Sequence, residues 1–174
     1  MAYQRNYKKH DEYTTPPSAW EAINHLIPEG SKVWMPFYCD GECGKTMRGL
    51  GHPVHHRPDE DFFDTTPRVT RNSKWVVVDN PPFSVTKEVL KRLVSLGMPF
   101  ILIMPTGRLV TKYFREIFDG VERPQIIIPN KRIKFQKQVG GDWHGGCKPT
   151  GKPMVMDCYY YCWKIGLKDD MTYL

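Results

Sequence analysis

The stretch "KWVVVDNPPF", residues 74–83, limits the possible folds more than any other part of the chain. Its four consecutive apolar residues do not alternate with polar ones. Both faces of the strand they form must therefore be covered, as in a parallel sheet with helices on either side. The run ends on Asp79 and Asn80 and passes into Pro81-Pro82. Each proline fixes its own φ and pushes the preceding residue toward extended conformations, so the exit from the strand is stiff. The next segment, "VTKEVLKRLVSLG", has helical spacing, with Val85, Val89, Leu90, Leu93 and Leu96 predicted on one side.

The same rhythm recurs along the chain. A helix is predicted within "TTPPSAWEAINHLI", with Ser18 as N-cap and Glu21 completing a capping box. "KVWMPF" reads as a strand entering the turn "YCDGECG", "KTMRGLG" as a short helix, and "PVHHR" as a weak strand followed by the loop "DEDFFDTTP". "PFILIMP" is a second fully apolar strand and "TKYFREIFDG" a helix. "QIIIPN", "RIKFQ" and "MDCYYYCWKIG" complete the predicted strands. Strands alternating with helices imply right-handed crossovers and a doubly wound α/β fold. The last strands follow one another without a helix, joined by the glycine-rich "VGGDWHGGCKPTGKP". The expectation is a mostly parallel sheet with an antiparallel end. The 174 residues are read as one domain, 1–174, with an N-terminal arm over residues 1–12 and a flexible loop over about 137–153.

Charge and cysteine content narrow the surroundings. The formal net charge is +6, part of it concentrated in "NKRIKFQK" as Lys131, Arg132, Lys134 and Lys137. Such a cluster permits a polyanionic partner, although composition alone favours a solvated face. The polar opening "MAYQRNYKKHDEY" has no signal-peptide pattern, no apolar run is long enough for a membrane helix, and the cysteine count, five, is odd. A reducing, cytoplasmic location without membrane contact is expected. Cys39, Cys43, Cys147, Cys158 and Cys162 form no CxxC pair, and although His144 lies near Cys147 they read as plain thiols rather than a metal site.

Ligands of open α/β sheets bind beyond the carboxyl ends of the strands. Two of these ends carry unusual chemistry. In "MPFYCDGECG", Asp40 and the glycines allow a tight turn that brings backbone N–H groups close to a ligand. In Asn80-Pro81-Pro82-Phe83, an amide oxygen and main-chain carbonyls beside an aromatic face suit a planar ligand carrying an NH2 group.

These elements together resemble a known family. "NPPF" is similar to the [D/N/S]-P-P-[Y/F/W] motif of S-adenosylmethionine-dependent amino-group methyltransferases. "TTPPSAWEAI" resembles the Thr-Pro element of adenine-specific N6 DNA methyltransferases, "MPFYCDG" their cofactor turn, and "DEDFF" their Asp-Phe element. Order and spacing match over residues 13–107, and the NPPF element is the most specific part. The resemblance implies a Rossmann-like class I methyltransferase fold and S-adenosylmethionine as cofactor. It implies methyl transfer to the exocyclic N6 of adenine in nucleic acid, DNA more than RNA.

Carried over by position, the resemblance places Thr15 and Pro16 at the methionine end of the cofactor. Phe37, Asp40 and Gly41 would form the cofactor turn, and Asp61 and Phe62 would hold the cofactor's adenine by hydrogen bond and stacking. Asn80, Pro81, Pro82 and Phe83 would hold the target base, with Lys131, Arg132, Lys134 and Lys137 contacting nucleic acid. The chain departs from the family pattern at Met35, where an acid is usual, at Cys39, where glycine is usual, and at His56-Arg57, where an acid for the ribose hydroxyls is usual; Asp59 or Glu60 can substitute for the last. Those departures fit an alternative, a catalytically weak or inactive nucleic-acid-binding protein of the same fold. An RNA adenine methyltransferase is a further alternative. Target readout is expected from Trp143, Lys148 and Lys152 in the glycine-rich loop, from a partner, or from a second copy of the chain.

Overall fold

The computed structural model describes residues 13–65, 74–139 and 148–174. In chain order the elements are β1 (Tyr13–Thr14), α1 (Pro17–Ile23), β2 (Lys32–Trp34), α2 (Glu42–Gly49), β3 (Val54–His55), β4 (Trp75–Asp79), α3 (Thr86–Ser95), β5 (Phe100–Pro105), α4 (Lys112–Ile117), β6 (Gln125–Ile128), β7 (Ile133–Val139), β8 (Lys148–Met156), β9 (Cys158–Trp163) and β10 (Met171–Tyr173). The fold is α/β. A seven-stranded sheet has the order β10-β6-β9-β5-β4-β2-β3, and a three-stranded antiparallel sheet has the order β1-β7-β8.

The apolar strands of the large sheet are covered on both faces, as their lack of alternation requires. Val76, Val78, Ile101 and Ile103 face Trp20, Ile23 and Met47 of α1 and α2, together with Phe135 of the small sheet. Their neighbours Val77, Phe100, Leu102 and Met104 face Val89, Leu90 and Leu93 of α3 and Phe114 of α4. Burying one valine or leucine side chain contributes about 1.5–3 kcal/mol, so this double layer is what keeps the sheet together. Two buried tyrosines enter it with their hydroxyls satisfied. Tyr160 donates to the Ala19 carbonyl at 2.7 Å and Tyr161 to the Pro105 carbonyl at 2.8 Å.

Several local expectations are corrected. Helix α1 starts at Pro17 with Pro16 in the N-cap position and no side-chain cap bond, so Ser18 and Glu21 form no capping box. Proline has no N–H to satisfy at the first helical position and its φ suits the helix, so the start moves two residues earlier. Leu96 lies beyond the end of α3, caps it, and is 40% exposed. The antiparallel strand is not at the sheet's end. β9 lies between β5 and β6, antiparallel to both, and β10 beyond them is again parallel. "MDCYYYCWKIG" is split, with Met156 ending β8 and Cys158 starting β9. β7 and β8 form an antiparallel pair reaching Val139 and Lys148, so both ends of the expected 137–153 loop are strand. The N-terminal arm, Trp143, His144 and Cys147 lie outside the described residues, as do the side chains of Lys148 and Lys152.

From β2 the chain moves outward to β3, and from β4 it moves the opposite way to β5, while β2 and β4 pair in parallel. The strand order reverses between these neighbours, and the crevice beyond their carboxyl ends is where open α/β sheets take ligands. The "MPFYCDG" turn and the Asn-Pro-Pro-Phe corner both leave the sheet there.

Candidate functional site

Asp79 is the central residue of this crevice. It ends the buried run of β4 and is 2% exposed. One carboxylate oxygen accepts from the Phe37 N–H and the other from the Asn80 N–H, both at 2.8 Å. A single side chain thus ties the turn after β2 to the corner after β4. Burial pushes its pKa up to about 7, against the two N–H donors that favour the charged form. Sequence reasoning assigned Asp79 no role, although a carboxylate ending a run of buried valines has to find hydrogen-bond partners.

The turn after β2 is held from several directions. Cys39 has φ +49° and Gly41 φ +80°. A Cβ on Gly41 would lie 2.7 Å from the Tyr38 hydroxyl, so Tyr38 lies over the turn. The Tyr38 ring stacks on His56 at 4.6 Å between centroids. His56 Nδ1 is 2.7 Å from the Met35 carbonyl, which can only accept, so Nδ1 carries the proton. Burial holds this histidine below its ordinary range and therefore neutral at pH 7. Asp40 accepts from the Glu42 N–H at 3.1 Å and, through its other oxygen, from Thr14 Oγ1 and from Gln138 Nε2 at 3.2 Å.

The corner after β4 is less open than the sequence suggests. Pro81 is buried, while Asn80, Pro82 and Phe83 are half-buried. The Phe83 carbonyl accepts from Arg108 Nη2 at 2.9 Å and from Thr86 Oγ1 at 3.0 Å, and its ring meets Phe135 edge-on at 6.4 Å. The Asn80 Oδ1 atom is covered and accepts from no group. It is not held pointing into an open cleft, so an incoming ligand must displace what covers it.

Beside the crevice lies a shallow, open depression that encloses no room for even a water molecule, walled by Trp34, Pro36, Arg57, Glu60, Asp61 and Phe62. Here too the structure corrects an expectation. Phe62 is only 2% exposed, packed against Trp34 and Phe37 at 5.5 and 5.1 Å between ring centroids. It is a wall of the depression and offers no free stacking face. Asp61 Oδ1 accepts from the Phe63 N–H of its own loop at 2.7 Å. Of the two acids that the resemblance offers as substitutes for a ribose partner, Glu60 lines the depression, with Oε2 2.6 Å from His55 Nε2, whereas Asp59 is exposed.

Thr15 is 2% exposed and its Oγ1 has no partner; Pro16 beside it is half-buried. Gln138, which sequence reasoning missed, is 6% exposed, and its Oε1 is likewise buried without a partner. Lys131, Arg132 and Lys134 are exposed around β7 and Lys137 is half-buried, with Arg132 engaged by Asp157 at 2.7 Å. The buried cysteines act as core groups: burial pushes Cys43 and Cys158 up to about 12 and raises Cys162 as well. Among the described residues, no group of three or more His, Cys, Asp or Glu side chains could hold a metal, and no helix is long and apolar enough to cross a membrane.

Comparisons with protein-family models, with curated proteins and with solved structures find no match for this chain.

Proposed function

We propose that the chain transfers a methyl group from S-adenosylmethionine to the exocyclic N6 of adenine in nucleic acid, with DNA as the polymer. The observation that carries this reading is the covered, unpartnered Asn80 Oδ1 at the Asn-Pro-Pro-Phe corner. Buried polar atoms nearly always have partners, and an orphaned one calls for an explanation. An acceptor held in reserve beside the switch point of the sheet matches what an exocyclic amine needs.

The crevice suits the cofactor on its own evidence. Thr15 Oγ1, Asn80 Oδ1 and Gln138 Oε1 are three buried polar atoms without partners around the turn that Asp79 ties down. Thr15, Pro16, Asp40 and Gly41 would hold the methionine end, and Glu60 and Asp61 the nucleoside end at the neighbouring depression. When bound, S-adenosylmethionine supplies an electrophilic methyl group on a sulfonium. The chain's part is to position and polarise. Asn80 Oδ1 and the Pro81 carbonyl accept the two N–H bonds of the amine, which returns its lone pair from the ring to nitrogen. The same acceptors stabilise the charge that develops on nitrogen. Asp79, by fixing Phe37 and Asn80 together, sets donor and acceptor in line. Phe83 stacks on the base, a contact worth about 1–3 kcal/mol. A base in duplex DNA must first be flipped out, and the exposed Lys131 and Lys134 attract the phosphates around it.

The test is a labelled-methyl assay on duplex DNA, single-stranded DNA and RNA, with digestion to the modified nucleoside. N6-methyladenine is expected with the native chain and none with Asn80→Ala or Phe83→Ala, both folded. Full activity in either variant overturns the assignment. The cover over Asn80 Oδ1 and the Tyr38 hydroxyl over Gly41 favour a second reading, a nucleic-acid-binding protein of this fold with little or no catalysis. It predicts retained DNA binding and no transferred label.

A further inference from the structure

Gln138 is buried although it lies on the outer side of β7. Ile133 and Phe135 point into the core and Lys134 out of it. Gln138 falls on the side of Lys134 and Gln136, where Thr14, the β1 residue paired with Gln136, meets it. The pairing with β8 shifts register between Gln136 and Gln138, but the extra residues lie on β8, so β7 itself steps regularly. Gln138 is only 6% exposed because Thr14 and the Asp40 turn cover this side of the strand.

Its amide orientation follows from its partners. Nε2 donates to Thr14 Oγ1 at 2.7 Å and to Asp40 Oδ2 at 3.2 Å. A carboxylate only accepts, so the nitrogen must face Asp40 and the oxygen must face away. That oxygen is buried and has no partner, and neither has Oγ1 of Thr15, the residue after Thr14. An orphaned acceptor beside a carboxylate, with a second orphaned hydroxyl on the residue after Thr14, describes a place for a cation with several N–H donors. A primary ammonium has three donors and a positive charge.

We propose that Gln138 selects the amino-acid end of the methyl donor. Its Oε1, together with Thr15 Oγ1, accepts from the α-ammonium while Nε2 stays anchored on Thr14 and Asp40. The small sheet is then a working part of the donor site. The inference rests on the proposal that the crevice takes an S-adenosyl ligand.

Calorimetric titration of the full chain with two ligands tests it. S-adenosylhomocysteine carries the ammonium, and 5′-methylthioadenosine lacks the whole amino-acid tail. Gln138→Leu is expected to weaken the first by about 10-fold or more, the size of a lost hydrogen bond to a charged group, and to leave the second within a factor of about two. Thr15→Val should weaken the first by a smaller factor with the same selectivity, and it decides the matter if the Gln138 variant does not fold. Equal loss for both ligands, or no loss, overturns the proposal, as a merely structural Gln138 would do. If the native chain binds neither ligand, the S-adenosylmethionine reading falls and this inference with it. If the native chain binds both and the variants do not discriminate, only the inference falls.

Discussion

β2 and β4 lie side by side and deliver their last residues to the same crevice, yet the chain leaves them by different means. After β4 the exit is stiff by covalent structure: Pro82 has φ −55° and ψ 124°, and a 3-10 turn at Phe83–Val85 leads directly into α3. After β2 the exit bends through two left-handed residues, and one of them, Cys39, is not glycine. That turn keeps its shape through contacts made elsewhere: Asp79 on the Phe37 N–H, Thr14 and Gln138 on Asp40, and Tyr38 against Gly41. One exit carries its rigidity in its own residues, and the other borrows it from β4, β1 and β7. Asp79 belongs to both, since its two oxygens hold one exit each.

The largest expected effect follows from that shared carboxylate. Its folded pKa, about 7, lies above the ordinary carboxylate value. Between about pH 4 and pH 7 the native state therefore binds more protons than the unfolded chain, and stability falls as pH rises through this window. A shift of this size corresponds to something on the order of 4 kcal/mol from Asp79 alone. Asp79→Asn, which cannot ionise, should lack that fall. Denaturant unfolding at intervals from pH 4 to pH 8 compares the two proteins, and parallel profiles would mean that Asp79 is not the group that titrates.

A smaller effect separates the exits. Gly41→Ala should destabilise the protein by about 1–2 kcal/mol through left-handed strain, and the new methyl group must also push Tyr38 aside. Chemical denaturation measures the loss, and loss of the Tyr38–His56 stacking should be visible in the aromatic NMR resonances. An unchanged midpoint would mean that the turn has room to relax. The smallest effect has the opposite sign. Cys39→Gly relieves a left-handed non-glycine residue and should stabilise by about 0.5–1 kcal/mol, less than the full strain because glycine also loosens the unfolded chain. A destabilised variant would show that the Cys39 side chain contributes more than its backbone strain costs.

How much could be read in advance differs between the exits for the same reason. Asn80 to Phe83 were legible because proline geometry is local, and the buried valines before them could only be a covered strand. The turn at 37–41 was recognisable as a turn from Asp40 and Gly41. Its fixings were not, because Phe37 and Asp79 are 42 residues apart and Thr14 and Gln138 are 124 apart. The assignment of Phe62 as a stacking platform went wrong because an aromatic residue in a loop has the same sequence appearance whether it faces a ligand or, as here, Trp34 and Phe37.

The sequence by itself determined the covered parallel strands, the alternation with helices and the stiff corner after β4, because apolar run length and proline φ act over a few neighbouring residues. Only the tertiary structure decided that β9 inserts between β5 and β6, that Asp79 bridges both exits, and that Thr14 and the Asp40 turn cover Gln138 on β7. Those outcomes depend on which distant backbone groups need partners once the sheet has formed, and no local pattern of residues encodes that.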